Sequence, residues 1–459
     1  MFLKTYIKVD MSNVIKITKG LNINLTGEAE KVIHNHISDV YALKPTDFIG
    51  VFPRLLVKEG DEVKAGTPLF LDKYREDIVF TSPVSGKVKE IKRGAKRVLL
   101  EVKIESDGKF ESLKFGSGNP LDLGREAVIE KLLKSGLWTM IRQRPYSVVA
   151  NPKDKPKSIF ISTFDTSPLA PDNDFIVHGQ GEAFQAGLDA LSVLTSGKVH
   201  LNIDANATHS KVFTNSKRVQ INQFSGPHPA GNVGVQINKL DPINKGEVIW
   251  YLYPQDVINI GKLFLTGEYD SGRIIALTGS EVLRPAYYKT HIGASIEGLV
   301  KGNVAEGNKR FISGNVLTGT RIELDGFVSF QHTHVTVIPE GDYYEFLGWA
   351  LPGFNKFSIS RTFPGFLFPK KKYRLDTNLH GGERAFVMTG QFEKVFPMDI
   401  YPMQLIKAIM VEDIDLMENL GIYEVDEEDF ALCEVIDTSK TNIQEIVRRG
   451  LNLMRKEMS

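Results

Sequence analysis

Cysteine is almost absent from this sequence of 459 residues, which contains only Cys433. A single cysteine excludes an internal disulfide framework and fits a reducing compartment. It cannot hold an iron–sulfur cluster, which normally takes four thiolates, or build a cysteine-based zinc site. The sequence therefore predicts no metal centre in this chain.

Long apolar runs and an excess of charge of one sign are missing as well. No run approaches the roughly 20 apolar residues that span a bilayer. The amino-terminal stretch carries charges throughout, unlike a secretory signal, and Met11 offers a second possible start. The net charge of +0 gives no general reason to expect binding to nucleic acid. We therefore expect a protein without a transmembrane segment and without a nucleic-acid partner.

Patterns of strands, turns and helices divide the chain into four predicted domains. Short strands separated by Gly-Asp and Ser-Gly turns predict a β domain over 12–115. Strand–helix alternation predicts an α/β domain with a partly parallel sheet over 116–262. A β-rich unit of β-grasp type follows over 263–345. Residues 346–459 combine an irregular aromatic linker with carboxyl-terminal helices.

The most specific local pattern is a pair of segments typical of biotinyl and lipoyl domains. VKEGDEVKAGTPLF at 57–70 and FTSPVSGKVKEI at 80–91 resemble the two halves of the hammerhead of such a domain. In a carrier domain, a modified lysine precedes the proline by about eight residues. Here Lys73 stands ten residues before Pro83 and lacks the usual neighbours. The pattern predicts the fold and leaves covalent attachment of biotin or lipoyl as the less favoured interpretation.

Two glycine-rich stretches and two His-x-His pairs contain residue types that hold ligands in other proteins. HGQGEAFQAG at 178–187 lacks the spacing of a phosphate loop, so a turn and helix start is the better interpretation. GPHPAGNVG at 226–234 predicts either a rigid turn or a close approach of backbone to a ligand. The pairs His34/His36 and His332/His334 each place two imidazoles on one face of a strand, without further ligands at suitable spacing. We expect both pairs on solvated strand faces.

Two charged stretches allow more than one interpretation. The run from Glu412 to Asp437 contains no Lys or Arg, which is typical of a solvated helical face and also of a docking surface for a basic partner. FPGFLFPKKKYR at 363–374 sets aromatic residues beside basic ones, which suits an anionic membrane surface or a membrane subunit. The same composition fits a buried aromatic loop with a solvated basic turn.

Residues 135–147, SGLWTMIRQRPYS, combine aromatic and basic side chains at the end of a predicted helix. A quinone needs an apolar sleeve and donors to its carbonyl oxygens, and these residue types supply both. The competing and more common arrangement puts Trp138 in the core and the arginines on the surface.

Longer motifs make the chain resemble a known family, the A subunits of the sodium-translocating NADH:quinone oxidoreductases. They include IKITKGLNINLTG, TSPVSGKVKEIKRGAKRVLLEV, SGLWTMIRQRP, EAFQAGLDALSVLTSGKV, GPHPAGNVGVQI and LGWALPGFNKFSISRTFPG. The resemblance runs from about Val14 to beyond Cys433. It implies a multidomain fold of α/β and β type. The expected parts are a barrel-sandwich hybrid (biotinyl/lipoyl-like) domain, a Rossmann-like α/β domain, a β-grasp SLBB domain, which binds soluble ligands, and a helical C-terminal domain.

The resemblance also implies a function. It implies a peripheral protein on the cytoplasmic face of the inner (cell) membrane, beside the other five subunits (B to F) and mainly against the membrane-embedded B subunit. Such a complex reduces ubiquinone or menaquinone with NADH and exports Na⁺, using FAD, FMN, riboflavin and Fe–S groups held by other subunits. This chain is then expected to carry no redox cofactor and no catalytic residue. A stand-alone NADH–flavin oxidoreductase is the alternative, because the family is related to the C subunit of the Rnf complex and to the NADH-binding flavoprotein of complex I.

Two departures from related proteins agree with the expected lack of redox groups. Bulky Trp138, Met140 and Ile141 stand where the complex I flavoprotein has a glycine-rich flavin loop, and Asp437 stands where most family members have a second cysteine. The family's association with quinone leads us to predict quinone contacts at Tyr41, Lys44, Trp138, Arg142, Arg144 and Tyr146.

Overall fold

The computed structural model describes residues 14–348 and 350–458, so Met11 lies outside the described residues. Its first two strands, β1 (Ile15–Lys16) and β2 (Glu30–Asn35), belong to different sheets. β1 pairs in parallel with residues 224–225, and β2 pairs in parallel with residues 286–289. The amino-terminal segment therefore adds a strand to each of two domains that come later in the chain.

Residues 40–106 form two small antiparallel sheets that share one core, as the turn pattern predicts. The strands are β3 (Val40–Leu43), β4 (Pro53–Leu55), β5 (Glu62–Val63), β6 (Pro68–Asp72), β7 (Arg75–Thr81), β8 (Gly86–Arg93) and β9 (Leu99–Ser106). One sheet has the order β3-β9-β8-β5 and the other β4-β6-β7. The rings of Phe70 and Phe80 stack with their centroids 4.7 Å apart, so adjacent strands contribute to the same aromatic core.

The next part of the chain alternates strands with helices around a seven-stranded sheet. Its elements are α1 (Pro120–Leu123), α2 (Arg125–Ser135), β10 (Arg142–Arg144), β11 (Val148–Val149), β12 (Ile159–Ser162), α3 (Asn173–Ile176), α4 (Gly181–Ser192), β13 (Val199–Asp204), α5 (Lys211–Thr214), β14 (Gln220–Ser225), α6 (Val233–Leu240), β15 (Ile249–Leu252) and α7 (Pro254–Thr266). The order is β1-β14-β13-β12-β15-β10-β11. The first five strands of that order are parallel. β10 runs antiparallel to β15, and β11 runs antiparallel to β10. Every residue of β12 and β15 is buried, as helices on both faces of a parallel sheet require.

A second, mixed sheet follows. It is built from β16 (Gly272–Thr278), β17 (Ala286–His291), β18 (Lys309–Ser313), β19 (Thr320–Ile322) and β20 (His334–Pro339), with the short helix α8 (Glu297–Val300) between β17 and β18. The order is β19-β18-β20-β16-β17-β2, and the pairs β16–β20 and β17–β2 are parallel. β20 is therefore an interior strand of this sheet.

The carboxyl-terminal part is helical from residue 402 onward. Its helices are α9 (Pro402–Met410), α10 (Ile414–Asn419), α11 (Ala431–Ile436) and α12 (Ile443–Glu457). Along α12 the buried residues Ile443, Val447, Leu451 and Met454 follow helical spacing and pack in the core that this part shares with the amino-terminal segment. None of the helices in 14–348 and 350–458 is long and apolar enough to cross a membrane.

Candidate functional site

A cavity of about 230 Å³ opens where the α/β domain, the second sheet domain and the carboxyl-terminal part meet. Ser162 ends β12 and Tyr253 follows β15, so both border the cavity from the carboxyl edge of the parallel sheet. Val233 and Pro254, the first residues of α6 and α7, border it too. Ligands of α/β proteins commonly bind at this edge, which makes the cavity the candidate site.

Three histidines border the cavity. Nδ1 of His228 lies 3.1 Å from Oγ1 of Thr166, and Nδ1 of His332 lies 2.9 Å from Oγ of Ser313. Both ring nitrogens of buried His334 lack a hydrogen-bond partner among the described residues. Burial lowers the pKa of His228 and His334 to about 4 and the pKa of His332 to about 3. The imidazoles are therefore neutral at physiological pH, and each offers one donor and one acceptor.

The expectation of a solvated strand face is wrong for His334, whereas His332 precedes the strand and is half-buried. His334 begins β20, which lies between β18 and β16, so its side chain is covered by neighbouring strands and is 4% exposed. For the other pair, His34 is exposed on β2 and His36 is half-buried. Among the described residues, no group of three or more His, Cys, Asp or Glu side chains is arranged to hold a metal ion.

A buried cluster of arginines and carboxylates lies beside the cavity. Arg144, which is fully buried, makes ion pairs with Glu428 at 2.7 Å and with Asp429 at 3.1 Å. Arg448 of α12 makes ion pairs with Asp426 and Glu427. The cluster therefore links β10 of the α/β sheet to the carboxyl-terminal part.

These contacts overturn both interpretations of the acidic run for its central residues. Asp426 and Asp429 are 5% and 3% exposed, so they form neither a solvated face nor a free docking surface. Their basic partners, Arg144 and Arg448, lie outside the run. Only the beginning of the run, with Glu412, is exposed as a solvated face would be.

Burial and mutual repulsion give the carboxylates of this cluster different proton affinities. Burial raises the pKa of Glu427 and of Glu428 to about 7, against the opposing effect of the arginines. Burial would also raise the pKa of Asp426, but the charges of Arg144 and Arg448 outweigh it and hold this pKa well below the usual value. The wall of the cavity formed by these groups therefore changes charge near neutral pH.

Arg142 is the one predicted quinone residue that borders the cavity. Its guanidinium donates to Oε1 of Gln331 and, at 2.8 Å, to the carbonyl oxygen of Ser147. It also lies over the ring of Tyr251, 5.6 Å from the ring centroid, with Arg144 at 5.8 Å from the same centroid. Arg142 and Arg144 are thus brought together around one aromatic ring.

Two more of the predicted residues lie close by but do not line the cavity. The half-buried ring of Tyr146 contacts Tyr423 edge-on, with 6.4 Å between centroids, and its carbonyl oxygen accepts a hydrogen bond from Arg448. Trp138 is fully buried, donates through Nε1 to the carbonyl oxygen of Ala150 at 2.8 Å, and packs edge-on against Trp250. Trp138 therefore occupies the core, as the competing interpretation holds. The placement of the arginines on the surface by that interpretation is wrong, because Arg144 is fully buried and Arg142 is half-buried.

The last two predicted residues do not line the cavity. Tyr41 is fully buried in β3, where its hydroxyl accepts a hydrogen bond from the backbone of Ser38 at 3.0 Å. Lys44 donates to Oγ of Ser329 at 2.8 Å and lies 3.5 Å from Asp47. Tyr41 also packs edge-on against His291 of the second sheet domain. The charge of Lys44 adds to the effect of burial in lowering the pKa of His332, so Lys44 lies near the cavity without lining it.

Several residues of the cavity were not predicted from the sequence. Asp165, Tyr253 and Gln331 are polar residues that follow or precede buried strands. The sequence does carry a signal for Asp165 and Tyr253, because residues just after parallel strands meet at one edge of a sheet. Nothing local in the sequence connects Gln331 to that edge.

Three family models match this chain in succession. The model of the NqrA N-terminal barrel-sandwich hybrid domain matches residues 15–107, and the model of the NqrA second alpha/beta domain matches residues 123–269. The model of the NQRA C-terminal domain, of SLBB type, matches residues 274–323. These matches agree with the two-sheet domain, the α/β domain and the mixed sheet described above.

Curated relatives align with the chain over nearly its full length. A protein of Yersinia pseudotuberculosis serotype O:1b (strain IP 31758), named as the A subunit of Na(+)-translocating NADH-quinone reductase, is 41% identical over 453 residues, covering 97% of this chain and 100% of the relative. Proteins of the same name from Pasteurella multocida (strain Pm70) and Vibrio atlanticus (strain LGP32) are 41% and 42% identical, with the same shares covered.

Among solved structures, an NAD⁺-reducing [NiFe]-hydrogenase in the air-oxidized state has a TM-score of 0.37 and 10% identity, covering 74% of this chain and 62% of that chain. The H₂-reduced state has a TM-score of 0.34 and 11% identity, covering 48% of each chain.

Proposed function

The chain belongs to the NqrA family, the A subunits of the Na(+)-translocating NADH-quinone reductases, and from this premise we propose how it acts. It is part of an enzyme complex that uses NADH to reduce a quinone (ubiquinone or menaquinone) and exports Na⁺. The observation that carries this function is the end-to-end alignment, which covers 97% of this chain and 100% of a relative at 41% identity.

We propose that the chain is peripheral and lies at the cytoplasmic face of the inner membrane. Its partners in this proposal are the other five subunits (B to F), with the main contact to the membrane-embedded B subunit. The support is the family, whose name denotes one of several subunits.

We further propose that the chain holds no redox cofactor and that FAD, FMN, riboflavin and Fe–S groups belong to other subunits. The sequence supports this, since one cysteine supplies one of the four thiolates that a cluster normally takes. Cys433 is also buried, and burial raises the pKa of its thiol well above the usual value.

At a finer level, we assign the four domains to 12–115, 116–262, 263–345 and 346–459, with β1 and β2 of the first range contributed to the sheets of the second and third domains. The parallel strands β1-β14-β13-β12-β15, with helices between them, support a Rossmann-like second domain. The parallel pairing of the first and last strands of 263–345, β16 and β20, supports a β-grasp third domain.

We also propose that the cavity beside Arg142 contributes to quinone binding. A quinone head group is flat, apolar on its faces and has carbonyl oxygens that accept hydrogen bonds. Phe164 and Leu317 supply apolar walls, and Ser167 and His334 carry buried polar atoms without partners among the described residues. These residues fit such a ligand, whereas Tyr41, Lys44 and Trp138 are occupied by contacts elsewhere.

Titration of the purified chain with a water-soluble quinone analogue tests this site. We expect Arg142→Ala and His334→Leu to weaken binding about tenfold or more, since each removes a polar contact to the ligand. The exposed Lys73→Ala serves as the control. Equal binding by all variants would remove the cavity from consideration.

Deletion of the gene tests the function of the chain. Membranes that lack it should lose Na⁺-stimulated NADH:quinone reductase activity and recover it when the gene is supplied. Full activity in the deleted strain would contradict the proposed function.

The two alternatives have their own measurements. A purified chain with flavin absorbance that oxidises NADH would indicate a stand-alone oxidoreductase. Lys73 lies in the exposed turn between β6 and β7, so an added mass of biotin or lipoate on this residue would indicate a carrier.

A further inference from the structure

One segment of the chain exposes an unusual number of large apolar side chains. We call residues 343–348 and 350–374 the aromatic segment. Six of the nine exposed aromatic residues among the described residues lie in it, together with four aliphatic ones. They are Tyr343, Tyr344, Phe346, Leu347, Leu351, Phe354, Ile359, Phe366, Leu367 and Phe368. Contiguous apolar surface of this kind marks an interaction site, whereas single exposed residues do not.

The aromatic segment is fastened to the rest of the molecule. Tyr373 is buried and its backbone donates a 2.8 Å hydrogen bond to Asn24, while its carbonyl oxygen accepts one of 3.0 Å from Thr26. Arg374 makes an ion pair of 2.8 Å with Glu281 of the second sheet domain. The exposed rings are therefore presented by a folded surface, which lowers the entropy lost when a partner binds.

Internal contacts also hold the middle of the segment against its later part. Nζ of Lys371 donates to the carbonyl oxygen of Phe354 at 2.7 Å and to Oδ1 of Asn355 at 2.8 Å. Nζ of Lys356 donates to the carbonyl oxygen of Gly348 at 2.7 Å. A Cβ atom at Gly365 would lie 3.4 Å from the carbonyl oxygen of Lys356, so the apolar residues near 354 lie close to those near 366.

The charge of this surface is positive. From residue 346 to residue 374 the sequence has six basic residues and no Asp or Glu. Three of the six are neutralised by Glu345, Glu28 and Glu281. The other three, Arg361, Lys370 and Lys371, have no carboxylate partner among the described residues. In a chain of net charge +0, this local excess calls for a partner with carboxylates.

The backbone of the segment favours a protein over a lipid as that partner. Among its described residues, the regular structure is a single 3-10 turn, Pro364–Leu367. Irregular backbone cannot satisfy its N–H and C=O groups in hydrocarbon, but a protein surface can supply partners for them. The exposed hydroxyls of Ser358, Ser360 and Thr362, linked by distances of 3.0 and 2.6 Å, add polar groups that a protein interface accommodates.

We propose that the aromatic segment is the surface through which this chain docks onto a neighbouring subunit of its complex, on a stretch that carries apolar side chains and carboxylates. The proposal rests on the proposed function, because it takes the partner to be another subunit. Phe366, Leu367 and Phe368 form its apolar centre, next to Arg361, whose guanidinium lies 5.5 Å from the ring centroid of Phe366. Aromatic residues and arginine in this arrangement commonly supply most of the binding energy of an interface.

Purification of the whole complex through a tag on another subunit tests the proposal. We expect the double variant Phe366→Ser/Phe368→Ser, and separately Arg361→Glu/Lys370→Glu, to lower recovery of this chain about tenfold or more. The matched controls are Phe52→Ser and Lys73→Glu, which change an exposed ring and an exposed lysine on the β domain. The melting temperature of each purified chain should match that of the unaltered chain, because the substituted side chains are exposed.

The outcomes distinguish the docking surface from the proposed function. If the unaltered chain does not co-purify with other subunits, the proposed function fails. If it does and the variants are recovered equally well, the docking surface is wrong. Vesicles with anionic phospholipid test the lipid alternative. The isolated chain would then bind these vesicles, the Phe366→Ser/Phe368→Ser variant would not, and recovery of the complex would be unchanged. That result would assign the surface to lipid and overturn the proposal.

Discussion

At the scale of single residues, Arg144 is the residue of the site whose removal should reduce the stability of the protein most. It is fully buried and makes ion pairs with Glu428 and Asp429, which come from a part of the chain about 285 residues away. Such a group stabilises the fold only while its partners are present, because an unpaired charge in the interior is costly.

We therefore predict that Arg144→Ala lowers the free energy of unfolding by about 3–5 kcal/mol, the range for a buried pair that loses one partner. Urea unfolding followed by circular dichroism measures the change. The control is Lys89→Ala, which removes an exposed ion pair with Glu105 and should cost less than about 1 kcal/mol. A loss for Arg144→Ala as small as that of the control would contradict the structure of the cluster.

The buried histidines lead to a prediction about pH. Because burial lowers the pKa of His228 and His334 to about 4, the folded state binds fewer protons than the unfolded state between pH 4 and the ordinary histidine value of 6.5. Their contribution to stability is therefore complete above pH 6.5 and is lost as pH falls towards 4. Glu427 and Glu428, with pKa values raised to about 7, act in the opposite direction, so single variants are needed to isolate the effect.

Lowering the pH from 7 to 5 should reduce the free energy of unfolding of His334→Gln by about 1–2 kcal/mol less than that of the unaltered protein. The measurement is urea unfolding at both pH values. His34→Gln, at an exposed position, should keep the pH dependence of the unaltered protein. An unchanged slope in His334→Gln would mean that this histidine is not held neutral by burial.

At the scale of elements, helices α4 and α7 pack with their backbones almost in contact. A Cβ atom at Gly187 of α4 would lie 2.1 Å from the carbonyl oxygen of Val257, and one at Gly261 of α7 would lie 1.7 Å from that of Ala183. Only glycine at these two positions permits this approach. A Cβ at Gly181, at the start of α4, would instead lie 3.8 Å from Cγ2 of Val212, an ordinary van der Waals distance.

This difference gives a comparison within one helix. Gly187→Ala should destabilise the protein by about 1–3 kcal/mol or more, because the helices must move apart. Gly181→Ala should be neutral or stabilise by up to about 1 kcal/mol, because alanine has the higher helix propensity. Thermal unfolding of the two variants, side by side, measures both effects. Equal melting temperatures would show that the helices do not approach as closely as described.

Elements whose pattern is local could be predicted from the sequence, while their partners could not. The run SIFIS predicts the buried strand β12, and the Gly-Asp and Ser-Gly turns predict the two-sheet domain, because turn chemistry and apolar runs act over a few residues. His334 is buried because its strand lies in the interior of a sheet, and Asp429 is buried beside Arg144. Both surroundings are supplied by distant parts of the chain. For the same reason the candidate residues Tyr41 and Arg142 looked equivalent in the sequence and lie in different sites.

At the scale of the whole molecule, the amino-terminal segment connects two domains. Besides adding β1 and β2 to separate sheets, this segment packs closely against the backbone of both domains. A Cβ at Gly20 would lie 2.1 Å from the carbonyl oxygen of His228, and one at Gly27 would lie 2.1 Å from that of Gly279. The stability of the α/β domain and that of the second sheet domain are therefore coupled through this segment.

We predict that a variant beginning at residue 38 melts at a lower temperature than the full chain and in a broader or divided transition. The reason is that two sheets each lose an edge strand. Differential scanning calorimetry measures this, with a variant beginning at Met11, which keeps both strands, as the control. A single transition at the temperature of the full chain would show that the segment does not couple the two domains.

The position of this segment also bears on how the protein is made. Ribosomes synthesise residues 15–35 well before the strands that pair with them. β1 needs Phe224 and Ser225, and β2 needs residues up to Lys289. More than half of the polypeptide must therefore emerge while its beginning waits unpaired. A nascent chain in this state exposes strand edges that chaperones bind. The amino-terminal segment can dock in both sheets only after the second sheet has been translated.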